Sequence, residues 1–198
     1  MSRNIQRVLT TLTLYTFQKF IKLNKSDSKI DSTSFALGTN LLHTDGNTQM
    51  TPMSPFRSDA WITLEVDVLP TDGNTPMAPM NPSSPTSKTH DKFIHPLLIG
   101  EAKNDGDLAI LRNGAIFKGS FVSPLFGYMS IYIIINHQHI EIGLFSPLYN
   151  APTKDDADTI ICSRKFALTE ESVNPMDPGD PDIFLYLDSL VEILFQLY

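Results

Sequence analysis

The stretch SDAWITLEVDVLP, residues 58–70, constrains the chain more than any other. Ile62, Leu64, Val66 and Val68 fall on one side of it, and Asp59, Trp61, Thr63, Glu65 and Asp67 on the other. A period of two is the mark of a β-strand with one face turned to a core. Its ladder N–H and C=O groups need neighbours, so a chain containing this segment has to build a sheet.

Three further segments supply those neighbours. FIHPLLIGEAK, residues 93–103, reads as a buried strand, and alternation puts Glu101 and Lys103 on one side of it and Leu98 and Ala102 on the other. YMSIYIIINHQHIEIGLFS, residues 128–146, reads as two strands joined by a turn at Asn136–Gln138. DTIICSRKFALT, residues 158–169, reads as one more strand, with Cys162 as an inert core thiol.

Helical spacing appears in three places. Residues 4–23 put Val8, Leu12, Tyr15, Lys19 and Leu23 near one face, with Ile5, Leu9 and Phe20 adjoining it. In DGDLAILRNGAIFKGSF, Asp105 or Asp107 can cap a helix. Its stripe is Leu108, Leu111 and Ala115, beside Ile110, Phe117 and Phe121, while Gly114 and Gly119 weaken it. DPDIFLYLDSLVEILFQLY closes the chain as a helix begun by Asp180, Pro181 and Asp182. The order helix, strand, strand, helix, strand, strand, strand, helix predicts an α/β domain with a central mixed sheet flanked by helices. Residues 1–26 form the basic amphipathic helix, 27–58 a loop-rich segment, and 59–198 the α/β core with a Pro/Met-rich insertion at 70–92.

That insertion carries a duplication. TDGNTQMTPMSP at 44–55 recurs as TDGNTPMAPMNP at 71–82, differing at Gln49/Pro76, Thr51/Ala78 and Ser54/Asn81. A single pair excludes a solenoid, and Asp-Gly turns with repeated prolines read as exposed loops flanking the strand at 60–69.

Charge narrows the function classes. The net charge of −7 argues against broad electrostatic affinity for nucleic acid, so a polyanion has to be met by a local patch. Residues 1–26 hold Arg3, Arg7, Lys19, Lys22 and Lys25 with no acid, whereas residues 150–198 hold ten acids against three bases. The acidic C-terminal half is a surface for a protein partner. One cysteine rules out a disulfide framework and points to a reducing, intracellular compartment, cytoplasmic or nuclear. The acid-free start, with its Arg and Thr residues, also has the composition of a mitochondrial presequence, although its aromatic residues suit a packing helix. The longest apolar run, IYIII at 131–135, is too short to cross a membrane. No P-loop or Gly-x-Ser-x-Gly elbow occurs, and His137 and His139, flanking Gln138, read as a solvated turn.

The succession from an acid-bearing strand through Glu101-Ala102-Lys103 to a helix and a β-hairpin resembles the PD-(D/E)XK nuclease superfamily, with its restriction-endonuclease-like fold. The resemblance covers about residues 56–146. It implies hydrolysis of DNA or RNA phosphodiester bonds with magnesium or manganese, Glu101 as a metal ligand and Lys103 as the lysine that assists the attacking water. The upstream metal ligand is Asp59, in FRSDAWITL, or Asp67 on the same face. Ser58 stands where the family has proline. The family's helical Gln/Tyr pair is replaced by Arg112 and Ile116, or by Asn113 and Phe117. Arg112 and Lys118 are the candidate phosphate contacts. A solvated Glu-x-Lys ion pair, worth less than about 1 kcal/mol, is the plain alternative. With it goes a non-enzymatic interaction module on an inactive nuclease-like fold.

Overall fold

Among the described residues six strands form one sheet in which spatial order follows chain order, from β1 (Phe35–Asn40) through β2 (Arg57–Asp67), β3 (Lys92–Ala102), β4 (Ser130–Ile135) and β5 (His139–Phe145) to β6 (Ile160–Ala167). This computed structural model describes residues 2–40, 57–67, 92–122, 129–146, 160–168 and 181–197. The duplicated loops, Val68 and the cap expected at Asp180 lie outside those residues. Neighbouring strands run antiparallel except β3 and β4, which are parallel. A parallel pair needs a crossover, and α2 (Leu108–Val122) supplies it. The expected mixed α/β sheet with flanking helices is the observed architecture.

The helices divide between the two faces. α1 (Ser2–Asp27) and α3 (Pro181–Leu197) cover one side, over Ile62, Leu64, Leu98, Ile131, Ile133, Ile140 and Ile142. α2 covers the other, over Trp61, Ile99, Tyr132, Ile134 and Phe145. β4 is buried at all six positions, which is why its sequence is a run of apolar residues instead of an alternation. Burying five side chains such as Ile5, Val8, Leu9, Leu12 and Phe20 of α1 contributes on the order of 10 kcal/mol.

The buried stripe of α1 is rotated from the one the apolar residues mark. Thr13, Thr16 and Asn24 are buried beside Leu9, Leu12 and Phe20, whereas Tyr15, Lys19 and Leu23 are only half-buried. Thr13 and Thr16 donate their hydroxyls to the carbonyls of Leu9 and Leu12 at 2.8 and 2.7 Å, so each enters the core with its polar atom satisfied. Asn24, in the last turn of α1, ties the helix to the chain that follows. Its side chain accepts from Ile30 N at 2.7 Å and donates to Ile30 O, while Ser28, at φ 50°, turns the chain away.

The segment expected to be loop from 27 to 58 contains β1. Among the described side chains of that strand only Phe35 is buried, and Leu37 is 41% exposed, so an edge strand of this kind leaves no periodic signal. The opposite edge, β6, is also more exposed than its apolar start implies. Cys162 is half-buried beside Tyr186, not enclosed. In α2, Leu108, Ala115 and Ile116 face the sheet, while Ile110 and Phe117, expected beside them, are 72% and 47% exposed.

Pro96 sits inside β3, where a missing N–H ordinarily interrupts a ladder. The register slips at that point: Ile62 pairs with Leu98 but Thr63 pairs with Pro96, leaving Leu97 as the extra residue of a bulge. Ser130 secures the irregularity by donating its hydroxyl to Pro96 O at 2.5 Å.

Candidate functional site

The site is built where β2 begins and β3 ends. Ala60 pairs with Gly100, and Asp59 and Glu101 lie one step beyond that pair on adjacent strands. β2 is irregular here: Gly38 of β1 pairs with Trp61, but Asn40 pairs with Arg57, so β2 has two residues more than β1 across this stretch. Strict alternation is broken, and Ser58 is brought to the α2 side. Its hydroxyl donates to Glu101 Oε1. The serine that departs from the proline of the resembled pattern thus contributes a polar group to the site.

Lys118, from the third turn of α2, completes this cluster. Its ammonium lies 2.5 Å from Glu101 Oε1, 2.9 Å from the carbonyl oxygen of Arg57 and 3.4 Å from Ser58 Oγ. The Lys118 and Glu101 side chains are 21% and 14% exposed, so the ion pair is shielded more than a surface bridge. Asp59 is held differently: its Oδ2 accepts from Ala102 N at 2.8 Å. Asp59 Oδ1 and Glu101 Oε2 have no hydrogen-bond partner among the described residues.

The other predicted residues fall in three places. Lys103 lies just past β3, its N–H donating to Ile135 O at 3.0 Å and its side chain exposed. Asp67 pairs with Lys92 at the opposite end of the β2–β3 ladder, on the order of 25 Å from Glu101 at the rise of a strand. It is removed from the set of ligands by the length of β2. Arg112, expected to meet phosphate, turns inward instead. Its Nη1 is 3.0 Å from Glu141 Oε1, an acid only 5% exposed at the centre of β5. The Tyr132 hydroxyl donates to the same oxygen at 2.9 Å. Burial, followed by the Glu141 charge, pushes the Tyr132 phenol far above its ordinary range. Tyr132 reaches Glu141 across Gly143, its direct β5 partner, where an added Cβ would lie 2.6 Å from the phenol oxygen. Arg112 Nη1 is engaged by Glu141, and its Nε is buried with no partner among the described residues.

His137 is exposed at the β4–β5 turn, its Nδ1 at 2.7 Å from Asn104 O, and His139 opens β5. Among the described residues no three His, Cys, Asp or Glu side chains gather as a metal-holding group.

Two of these residues had only a weak sequence signal. Glu141 stood as a single acid within an otherwise apolar strand, and an acid in such a place needs a buried cation. Lys118 was visible as a helix cation, but nothing in its local sequence directs it to Glu101.

Two carboxylates, each with one oxygen unengaged among the described residues, are a donor set that a hard divalent cation accepts, since magnesium keeps several waters and needs only one or two protein carboxylates. The Lys118 ammonium is the competing partner of Glu101. None of the described helices is long and apolar enough to cross a membrane. Comparison with family models, curated proteins and solved structures finds no match to this chain.

Proposed function

We propose that the chain is a metal-dependent nuclease with a restriction-endonuclease-like core, hydrolysing phosphodiester bonds of DNA or RNA with magnesium or manganese. The observation that carries this reading is the placement of Asp59 and Glu101 opposite each other on adjacent strand ends, each with one carboxylate oxygen that no described residue engages. The order β2, β3, α2, β4, β5, with the parallel β3–β4 pair, fits that core.

In this reading Asp59 and Glu101 hold the ion, which when bound neutralises charge on the phosphate and activates water. Asp59 is oriented by Ala102 N, and Glu101 by Ser58 and Lys118. Lys103 is the exposed cation next along the chain, able to meet the phosphate or orient the attacking water. The partner is met locally, since the whole chain is acidic.

Cleavage of single- and double-stranded DNA and RNA is the test. Wild type is expected to cut at least one of them with magnesium or manganese. Asp59→Asn and Glu101→Gln abolish cutting, and Lys103→Ala lowers it about 100-fold or more. Equal cleavage by all four proteins would identify a contaminating enzyme. The Lys118–Glu101 ion pair favours a second reading, a non-enzymatic module on the same core that meets a protein partner through its acidic C-terminal half. No cleavage by wild type under any of these conditions selects it.

A further inference from the structure

Resting on the reading of Asp59 and Glu101 as a cation site, we infer that Lys118 is its positioning residue. Its ammonium holds Glu101 and sets how tightly the two carboxylates take a divalent ion. An ammonium has three N–H donors, and Lys118 has three oxygen acceptors within 3.4 Å. They are a carboxylate, a backbone carbonyl and a hydroxyl, the oxygen types that a hard cation prefers. Lys103, which the sequence pattern marks as the lysine of the site, has no such contacts among the described residues.

The helix presents this ammonium rigidly. The next residue, Gly119, seats α2 directly on Ile99 and Phe145, both fully buried. The base of the Lys118 stem is therefore fixed relative to β3, the strand that carries Glu101. A divalent ion held through Glu101 Oε2 meets the Lys118 charge beside it, and one that uses Oε1 has to displace the ammonium. In both cases the charge at position 118 opposes ion binding while it keeps Glu101 oriented without the ion.

Calorimetric titration of the full chain with manganese reads the effect directly and needs no catalysis. Lys118→Met, which keeps most of the stem and removes the positive charge beside Glu101, is expected to bind manganese about tenfold or more tightly than wild type. Lys118→Arg retains the charge and stays near the wild-type value, as does Lys103→Met. Lys118→Gln serves as a second neutral variant, with circular dichroism confirming the fold of each protein. Unchanged or weaker binding by both neutral variants overturns the inference, as does an equal gain in Lys103→Met. The nuclease reading fails separately: a chain that cuts no nucleic acid but shows the expected titration series retains Lys118 in this role. Absence of manganese binding in every variant removes both.

Discussion

Position 58 shows how far single residues can be read. Ser58, which departs from the proline of the resembled pattern, donates to Glu101 and accepts from Lys118. Asp59 and Glu101 were legible as opposite residues of neighbouring strands because alternation fixes their places. Lys103, marked by the Glu-x-Lys spacing, lies past β3 with an exposed side chain that contacts neither among the described residues. Lys118 and Glu141 were not legible, because their partners lie on other elements, and pairing between elements is decided by packing that no local period encodes. The same holds for His95, which looked like an ordinary strand residue but is fully buried, with a ring nitrogen 3.3 Å from Met129 O. Burial pulls its pKa from 6.5 down to about 4, outweighing the contact with Met129. The folded chain therefore binds fewer protons than the unfolded chain below pH 6.5. Stability is full above that pH and is lost as pH falls toward 4, by about 3 kcal/mol from this group. Urea unfolding at pH 7 and pH 4.5 checks this. His95→Met is expected to lose stability less steeply on acidification, leaving only the carboxylate contribution, and an identical pH slope in both proteins would refute the assignment.

Among the elements, α2 carries the sharpest contrast between pattern and packing. Asp107 caps it as expected, accepting from Ala109 N at 2.7 Å. Its two glycines, which lower helical propensity equally, have opposite surroundings. A Cβ at Gly114 meets nothing within 4 Å, whereas a Cβ at Gly119 would lie 2.6 Å from Phe145 Cζ and also strike Ile99. Gly114→Ala is therefore expected to stabilise the chain by about 0.5–1 kcal/mol. Gly119→Ala is expected to destabilise it by about 1–3 kcal/mol, because Ile99 and Phe145 are fully enclosed and have no room to yield. Thermal melts of the two variants against wild type read both signs at once. The same contrast explains which strands were legible. β2 and β5 were found from the alternation or apolar content of buried faces, and β1 was missed because an edge strand with one buried residue has neither.

For the whole molecule, the question is whether α1 belongs to the folded body or is a detachable leader, since its composition allowed both. Leu9 and Leu12 are fully buried, and Gly100 of β3 has no side chain where Leu9 Cδ1 would lie 2.7 Å from a Cβ. α1 is also joined to α3: Tyr15 donates to Asp188 Oδ1 at 2.8 Å, and Lys19 lies 2.9 Å from Asp188 Oδ2. Burial and the Asp188 contact push the Tyr15 pKa up to about 12, so this joint stays protonated through ordinary alkaline pH. The apolar burial of α1, on the order of 10 kcal/mol, matches the whole net stability of about 5–15 kcal/mol that a domain of this size has. Removal of residues 1–27 would uncover Ile62, Leu98 and Ile133 on the face that α1 and α3 share. The shortened chain is therefore expected to lose its cooperative thermal transition and to aggregate. A soluble product with an unchanged melting transition would mean that α1 contributes little to the core and that the sheet is completed by α3 alone.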